Sequence, residues 1–190
     1  MSTWPQDVPL SFNLSARDIV LPDMAHWLID QIKFFGIDSG RLTFEVTETA
    51  LLRDFVSARA SIRYLRRHGA KVALDDFGIG YSSLRYVHEL EFDCLKVDRS
   101  FIEPIVTSER SQRIVKTVID MCDNLGTDCV IEGIETPEQR DQVLRLGGRL
   151  AQGYFFARPS ASIDWDALPN VADRDRTETP SDVRQADAKS

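Results

Sequence analysis

Six short apolar runs, each interrupted or ended by a polar residue and most of them separated by stretches of helical character, constrain this chain more than any other feature. They read LSFNLS, LTFEVTE, VALDD, CLKVD, CVIEGIE and LAQGYFF. Short β-type runs alternating with helical patterns predict parallel βαβ units, and near-continuous hydrophobicity within the runs predicts strands covered on both faces. Two architectures satisfy this, an open doubly wound sheet and a (β/α) barrel. The polar residues choose between them. Asn13, Glu45, Asp75 with Asp76, Lys96, Glu132 and Gln152 each stand late in a different strand. In an open sheet only the strands at the switch point feed a site, whereas in a barrel every strand's C-terminal end faces one rim.

The expected fold is therefore α/β, an incomplete TIM-like (β/α) barrel with about six of eight βα units present, since a closed barrel of this kind has about eight strands and about 250 residues. The two absent strands are expected on the N-terminal side, because the chain after Pro159 passes into NVADRDRTETPSDVRQADAKS, charged and without aromatic residues. Residues 1–168 are read as the domain and 169–190 as a disordered C-terminal tail.

The helical stretches carry their own punctuation. In DFVSARASIRYLRRHG, Phe55, Ala58, Ile62 and Leu65 share a face and Gly69 is placed to stop the helix. In TPEQRDQVLRLGG, Thr136 is an N-cap, Pro137 suits the first helical position, Gln139 completes a capping box and Gly147 closes the end. RIVKTVIDMCDNLG predicts a helix buried along Ile114, Val118, Cys122 and Leu125.

Composition excludes some partners. A net charge of -7 argues against a general electrostatic grip on DNA, RNA or an anionic membrane, which basic surfaces hold. Small phosphorylated ligands stay open if a metal supplies positive charge. Cys94, Cys122 and Cys129 form no CxxC pair, which predicts buried thiols in a reducing compartment. With no secretory-type N-terminus and no apolar run near the roughly 20 residues of a spanning helix, the expected location is cytoplasmic.

The chemistry gathers in VALDDFGIGYSSL, where apolar residues run straight into two adjacent carboxylates. Asp75 and Asp76 repel each other and resist burial, so a cation is the first candidate to hold them. Hard divalent cations take oxygen ligands, and Glu45 and the amide oxygen of Asn13 add two more from other strands. Lys96 has two readings: it orients water or phosphate within the carboxylates, or it simply pairs with a buried Asp. Glu132 and Glu135 flank Gly133, one pointing at the rim and the other supporting the loop or capping a helix. Gly78 and Gly80 predict a mobile lid rather than a phosphate cradle, because no P-loop lysine follows. His26, His68 and His88 have no metal-ligand spacing and are read as surface residues. No HExxH or GxSxG string supports zinc or nucleophilic-triad chemistry.

FNLSA, FEVTET, ALDDFGIGYSSL, LKVDRSFI, VIEGIET and AQGYFFARP, in that order, closely resemble the EAL-type cyclic-di-GMP phosphodiesterases, over roughly residues 8 to 160. The resemblance implies a barrel-like fold and hydrolysis of one phosphodiester of cyclic-di-GMP to linear pGpG with Mg2+ or Mn2+. It implies that Asn13, Glu45, Asp75 and Asp76 are metal ligands, that Glu132 is a further ligand or a base near the water, and that Lys96 orients that water. By the same resemblance Glu48 anchors the lid, Glu135 and Gln152 support the site and substrate, and two copies pair through the lid and its neighbouring helix. The Glu-Ala-Leu string that names the family does not occur here; ALLR, after the FEVTE strand, occupies another position. Two functions follow: a phosphodiesterase, impaired in this chain, or a non-catalytic module that binds cyclic-di-GMP or a protein.

Overall fold

The computed structural model of the chain describes residues 8–79 and 83–160. One compact unit spans Met1–Arg158; of a second, Pro159–Ser190, only residues 159 and 160 are among those described. The expected boundary at 168 and the tail after it lie outside the described residues.

Six parallel strands form one sheet in strict chain order: β1 (Leu10–Leu14), β2 (Leu42–Thr47), β3 (Lys71–Phe77), β4 (Cys94–Val97), β5 (Asp128–Ile131) and β6 (Leu150–Ala151). A doubly wound sheet would reverse its order at a switch point. This one never does, as expected of an arc of a barrel. β1 and β6 are its two edges, and Phe12 and Leu150 on them are exposed.

Among the described residues six α-helices connect and cover the strands: α1 (Met24–Phe34), α2 (Glu48–Arg53), α3 (Phe55–Arg67), α4 (Ser83–Glu89), α5 (Glu109–Leu125) and α6 (Pro137–Arg145). Local chemistry sets their ends. Thr47 accepts from Ala50 N (3.3 Å) to start α2, and Asp54 accepts from Ser57 N (3.1 Å) to start α3 at once. The predicted capping box of α6 is present: Thr136 Oγ1 accepts from Gln139 N (3.3 Å) while Gln139 Oε1 accepts from Thr136 N (3.1 Å). The buried Gln139 also donates from Nε2 to Ile102 O (3.3 Å), fixing α6 to the segment after β4.

The helix-facing residues of the strands, among them Phe44, Val46, Val72, Leu74 and Leu95, pack with Ile29, Leu51, Ile62 and Leu65. A second cluster joins Val97, Ile102, Val115, Ile119, Ile131 and Val143. Each fully buried aliphatic side chain contributes about 1.5–3 kcal/mol. On α3 the predicted face is the buried one. α5 is rotated from its expected face: Ser111, Val115, Ile119 and Cys122 are buried, Ile114 and Val118 flank them, and Leu125 is 54% exposed. Both stripes are apolar at helical spacing, so periodicity alone did not choose between them.

Cys122 is buried and Cys94 and Cys129 half-buried, all three as free thiols. Burial, with Asp128 nearby, pushes the Cys94 thiol up to about 12. His26 and His88 are exposed as expected, whereas His68 is half-buried at the end of α3, its Nδ1 2.9 Å from Tyr64 O. Among the described residues no helix is long and apolar enough to cross a membrane.

Candidate active site

Alternation along the strands creates the site. Even-numbered residues of β2 and β3 enter the helix-packed core, so Glu45, Ala73 and Asp75 project to the other face. On β4 the parity is opposite: Leu95 and Val97 join the core and Lys96 faces the concave side of the arc. Lys96 is only 6% exposed. Its Nζ donates to Glu45 Oε2 at 2.7 Å and lies 2.7 Å from Glu132 Oε1 and 3.1 Å from Asp75 Oδ1. One ammonium thus holds carboxylates reached from β2, β3 and the end of β5.

Asp76 could not share this site on a regular strand, where it would point with Leu74 toward the helices. The β3–β4 register solves the problem: Leu74 pairs with Leu95 and Phe77 with Val97, so Asp75 and Asp76 together oppose Lys96. This is a β-bulge. Its backbone signature is Asp76 at φ 55, the one described non-glycine residue in the left-handed region. Phe77 returns to the helix side and is buried. As a result, carboxylate oxygens of Asp75, Asp76 and Glu132 all lie within 4.8 Å of one another.

The electrostatics match a cation site. Burial works against the Lys96 charge, but hydrogen bonding to Glu132 and Glu45 and the charges of Glu132 and Asp75 outweigh it and raise its pKa. Burial lifts Glu132 above the usual carboxylate range despite Lys96, and burial together with Asp75 and Asp98 lifts Asp76. Asp75 Oδ1 is buried and, although close to Lys96 Nζ, has no hydrogen bond of acceptable geometry. An all-oxygen donor set with an orphaned buried carboxylate oxygen fits a hard divalent cation.

The EAL domain family model matches residues 1–159, most of the chain. The chain belongs to the EAL domain family. Cyclic di-GMP phosphodiesterase RocR of Pseudomonas aeruginosa is 36% identical over 154 residues, 81% of this chain and 39% of RocR. Among solved structures, a calcium/cyclic-di-GMP complex of Klebsiella pneumoniae BlrP1 superposes with a TM-score of 0.75 at 37% identity, covering 80% of this chain and 39% of that one. The EAL domain of Mycobacterium smegmatis DcpA gives 0.76 at 32% identity, covering 81% and 69%. The chain spans about one to two fifths of the length of the first curated relatives it matches.

Within this EAL domain the other predicted residues divide into two groups. Gln152, just beyond β6, donates from Nε2 to Glu132 Oε1 (2.7 Å), and Asn13 pairs in register with Glu45 across β1 and β2, exposed on the edge strand. Glu48 is 3% exposed at the start of α2, but residues 80–82 of the expected lid lie outside the described residues. Glu135 is exposed and makes no ion pair among the described residues. Only its backbone N–H is engaged, donating to Gln139 Oε1 (2.8 Å).

Sequence reasoning missed two features. Asp98, buried, accepts from Ser100 N (2.8 Å) and adds a negative charge that helps raise Asp76. Its position two residues after Lys96 was the available signal. The second is the glycine that follows Glu132 and the one that follows Gln152: a Cβ on Gly133 would lie 2.4 Å from Arg99 Cβ, and one on Gly153 2.2 Å from Ile134 O. The loops bearing Glu132 and Gln152 are therefore pressed against their neighbours, which fixes both side chains at the rim.

Proposed function

We propose that this EAL domain hydrolyses one phosphodiester of cyclic-di-GMP to give linear pGpG, using Mg2+ or Mn2+. The observation that carries the reading is the single ammonium of Lys96 held within 3.1 Å of Glu45, Asp75 and Glu132. Support comes from RocR, named a cyclic di-GMP phosphodiesterase, and from BlrP1, solved as calcium and manganese complexes with cyclic-di-GMP.

Asp75, Asp76 and Glu132, with Glu45 and Asn13 beside them, would hold the metal. Bound divalent cations supply Lewis-acid polarisation of a phosphoryl oxygen and a water of lowered pKa. Lys96 keeps Glu45, Asp75 and Glu132 in place before substrate arrives and orients the attacking water among them. Gln152 holds Glu132 from the far side. Glu48 anchors the lid, and Glu135 supports the loop through its backbone. The domain acts in the cytoplasm in second-messenger signalling and pairs with a second copy through the lid and α4.

Turnover by this chain is expected to be slower than that of a domain with the Glu-Ala-Leu segment, which its 190 residues do not contain. The test is release of pGpG from cyclic-di-GMP by the purified chain with Mg2+ or Mn2+. Lys96→Ala and Glu45→Ala should each lower turnover by about a hundredfold or more, at the upper end of what ligand-supporting residues cost. Turnover indifferent to both substitutions would overturn the reading, and cyclic-di-GMP binding without any turnover would assign the non-catalytic module.

A further inference from the structure

The chain is acidic overall, yet from Phe55 to Leu74 it carries Arg59, Arg63, Arg66, Arg67 and Lys71 and not one carboxylate. Arg59, Arg63 and Arg66 recur at i, i+4 and i+7 and so share one face of α3. Opposite that face are the end of α4 and the turn after it, residues 88–91. Between them lies a groove of about 370 Å3 that includes the buried Ile62 and Leu90. None of the active-site residues lines it.

The three guanidinium groups are in different states. Arg66 is committed, with Nε and Nη2 each 3.0 Å from Asp93 and Nη1 2.8 Å from Glu91. Arg63 accepts from Arg67 Nε at its backbone carbonyl (3.2 Å), but its guanidinium has no ion pair or hydrogen bond among the described residues. Arg59 is half-buried, and its Nε is out of solvent with no acceptor. A buried guanidinium N–H left unpaired is uncommon, because it forfeits water without gaining a partner. The carboxylates beside it are taken: Glu91 by Arg66, while Glu89 has an interaction of its own.

We infer that this groove binds a phosphate group, gripped by Arg59 and Arg63, with Arg66 behind them and His88 at the side. Two guanidinium forks one helical turn apart match the charge and oxygen geometry of a dianionic phosphate better than a single carboxylate. The volume falls at the small end of ligand pockets, about 300–1,000 Å3, which suits a phosphate ester rather than a large nucleotide. The same group can arrive on a soluble molecule or on a lipid headgroup.

The test follows the arginine Nε–H resonances of the metal-free full chain, titrated with inorganic pyrophosphate and, separately, with vesicles containing phosphatidic acid. The Arg59 resonance should shift saturably. Arg59→Gln and Arg63→Gln should each weaken binding about tenfold or more, the loss of a charge-assisted contact. Arg59→Lys should keep part of the affinity, and Arg113→Gln, on the exposed side of α5, should keep all of it. A response to pyrophosphate assigns the ligand to soluble phosphate, and a response to vesicles alone assigns it to a headgroup. An Arg59 resonance unmoved by both probes, or affinity unchanged in Arg59→Gln, overturns the site.

Discussion

Asp76 concentrates two costs in one residue, a left-handed backbone and a carboxylate set beside Asp75. The left-handed conformation costs a non-glycine residue about 1–2 kcal/mol, although aspartate tolerates it better than most. Asp76→Gly should therefore stabilise the metal-free chain by about 1 kcal/mol, while Mn2+ binding is lost. Denaturant melts and calorimetry read the two effects separately; retained Mn2+ heat in the variant would remove Asp76 from the ligand set. Acidity gives a second check. An acid whose folded pKa is raised is penalised while ionised, and the penalty disappears as pH falls through that pKa. Burial raises Asp76 above 3.8 and Glu132 above 4.5, so the metal-free chain should gain stability as pH falls from neutrality toward the range just above these values. Asp54 and Glu138, lowered chiefly by hydrogen bonds, act with the opposite sign and reverse the gain at lower pH still. Saturating Mn2+ should abolish the gain, since coordination keeps the carboxylates ionised. A metal-free melting temperature that falls steadily from about pH 7 to about pH 5 would contradict this. The gathering of carboxylates at strand ends was legible in the sequence, because each stands late in an apolar run. The bulge that lets neighbours 75 and 76 share one face was not, since strand alternation alone sends them to opposite sides.

The elements show where local signals suffice and where they stop. The α6 capping box and the stop of α3 were readable because partners three or four residues apart meet inside the element. The buried face of α5 was not, because the sheet chose between two apolar stripes. The short α2, squeezed between the caps of Thr47 and Asp54, also went unread: its six residues are too few to display a period. The close approach of loops was equally hidden. Gly153 carries Gln152 against the segment after β5, with Ile134 N donating to Gln152 O (3.1 Å) and Phe155 N to Ile134 O (2.9 Å). Gly153→Ala would force a methyl into the Ile134 backbone, where the usual overpacking cost of about 1–3 kcal/mol is a lower bound. Thermal melts should show that loss. Activity should fall further than stability alone explains, because Gln152 is drawn from Glu132. A variant that melts and turns over like the parent would show that the loop can yield.

At the scale of the molecule, the two edge strands of the described sheet, β1 and β6, favour association in solution. Exposed Phe12 on β1 and Leu150 on β6 border backbone groups that have no strand partner among the described residues, and such groups template association. Sedimentation velocity should show concentration-dependent self-association that Phe12→Lys reduces; a strictly monomeric parent at all concentrations would contradict it. The barrel-type arc itself was legible in the sequence because six strand ends bore polar residues. Its open edges have a counterpart in time. Every strand pairs with its neighbour in the chain, so each pairing closes only one helix-containing loop, and no step waits for the first and last strands to meet. Nearest-neighbour pairing avoids the longest loop closure, with growth outward from the well-covered β2, β3 and β4. The rate-limiting barrier should then be insensitive to mutations in β1 or β6, which would speed unfolding while leaving the folding rate unchanged.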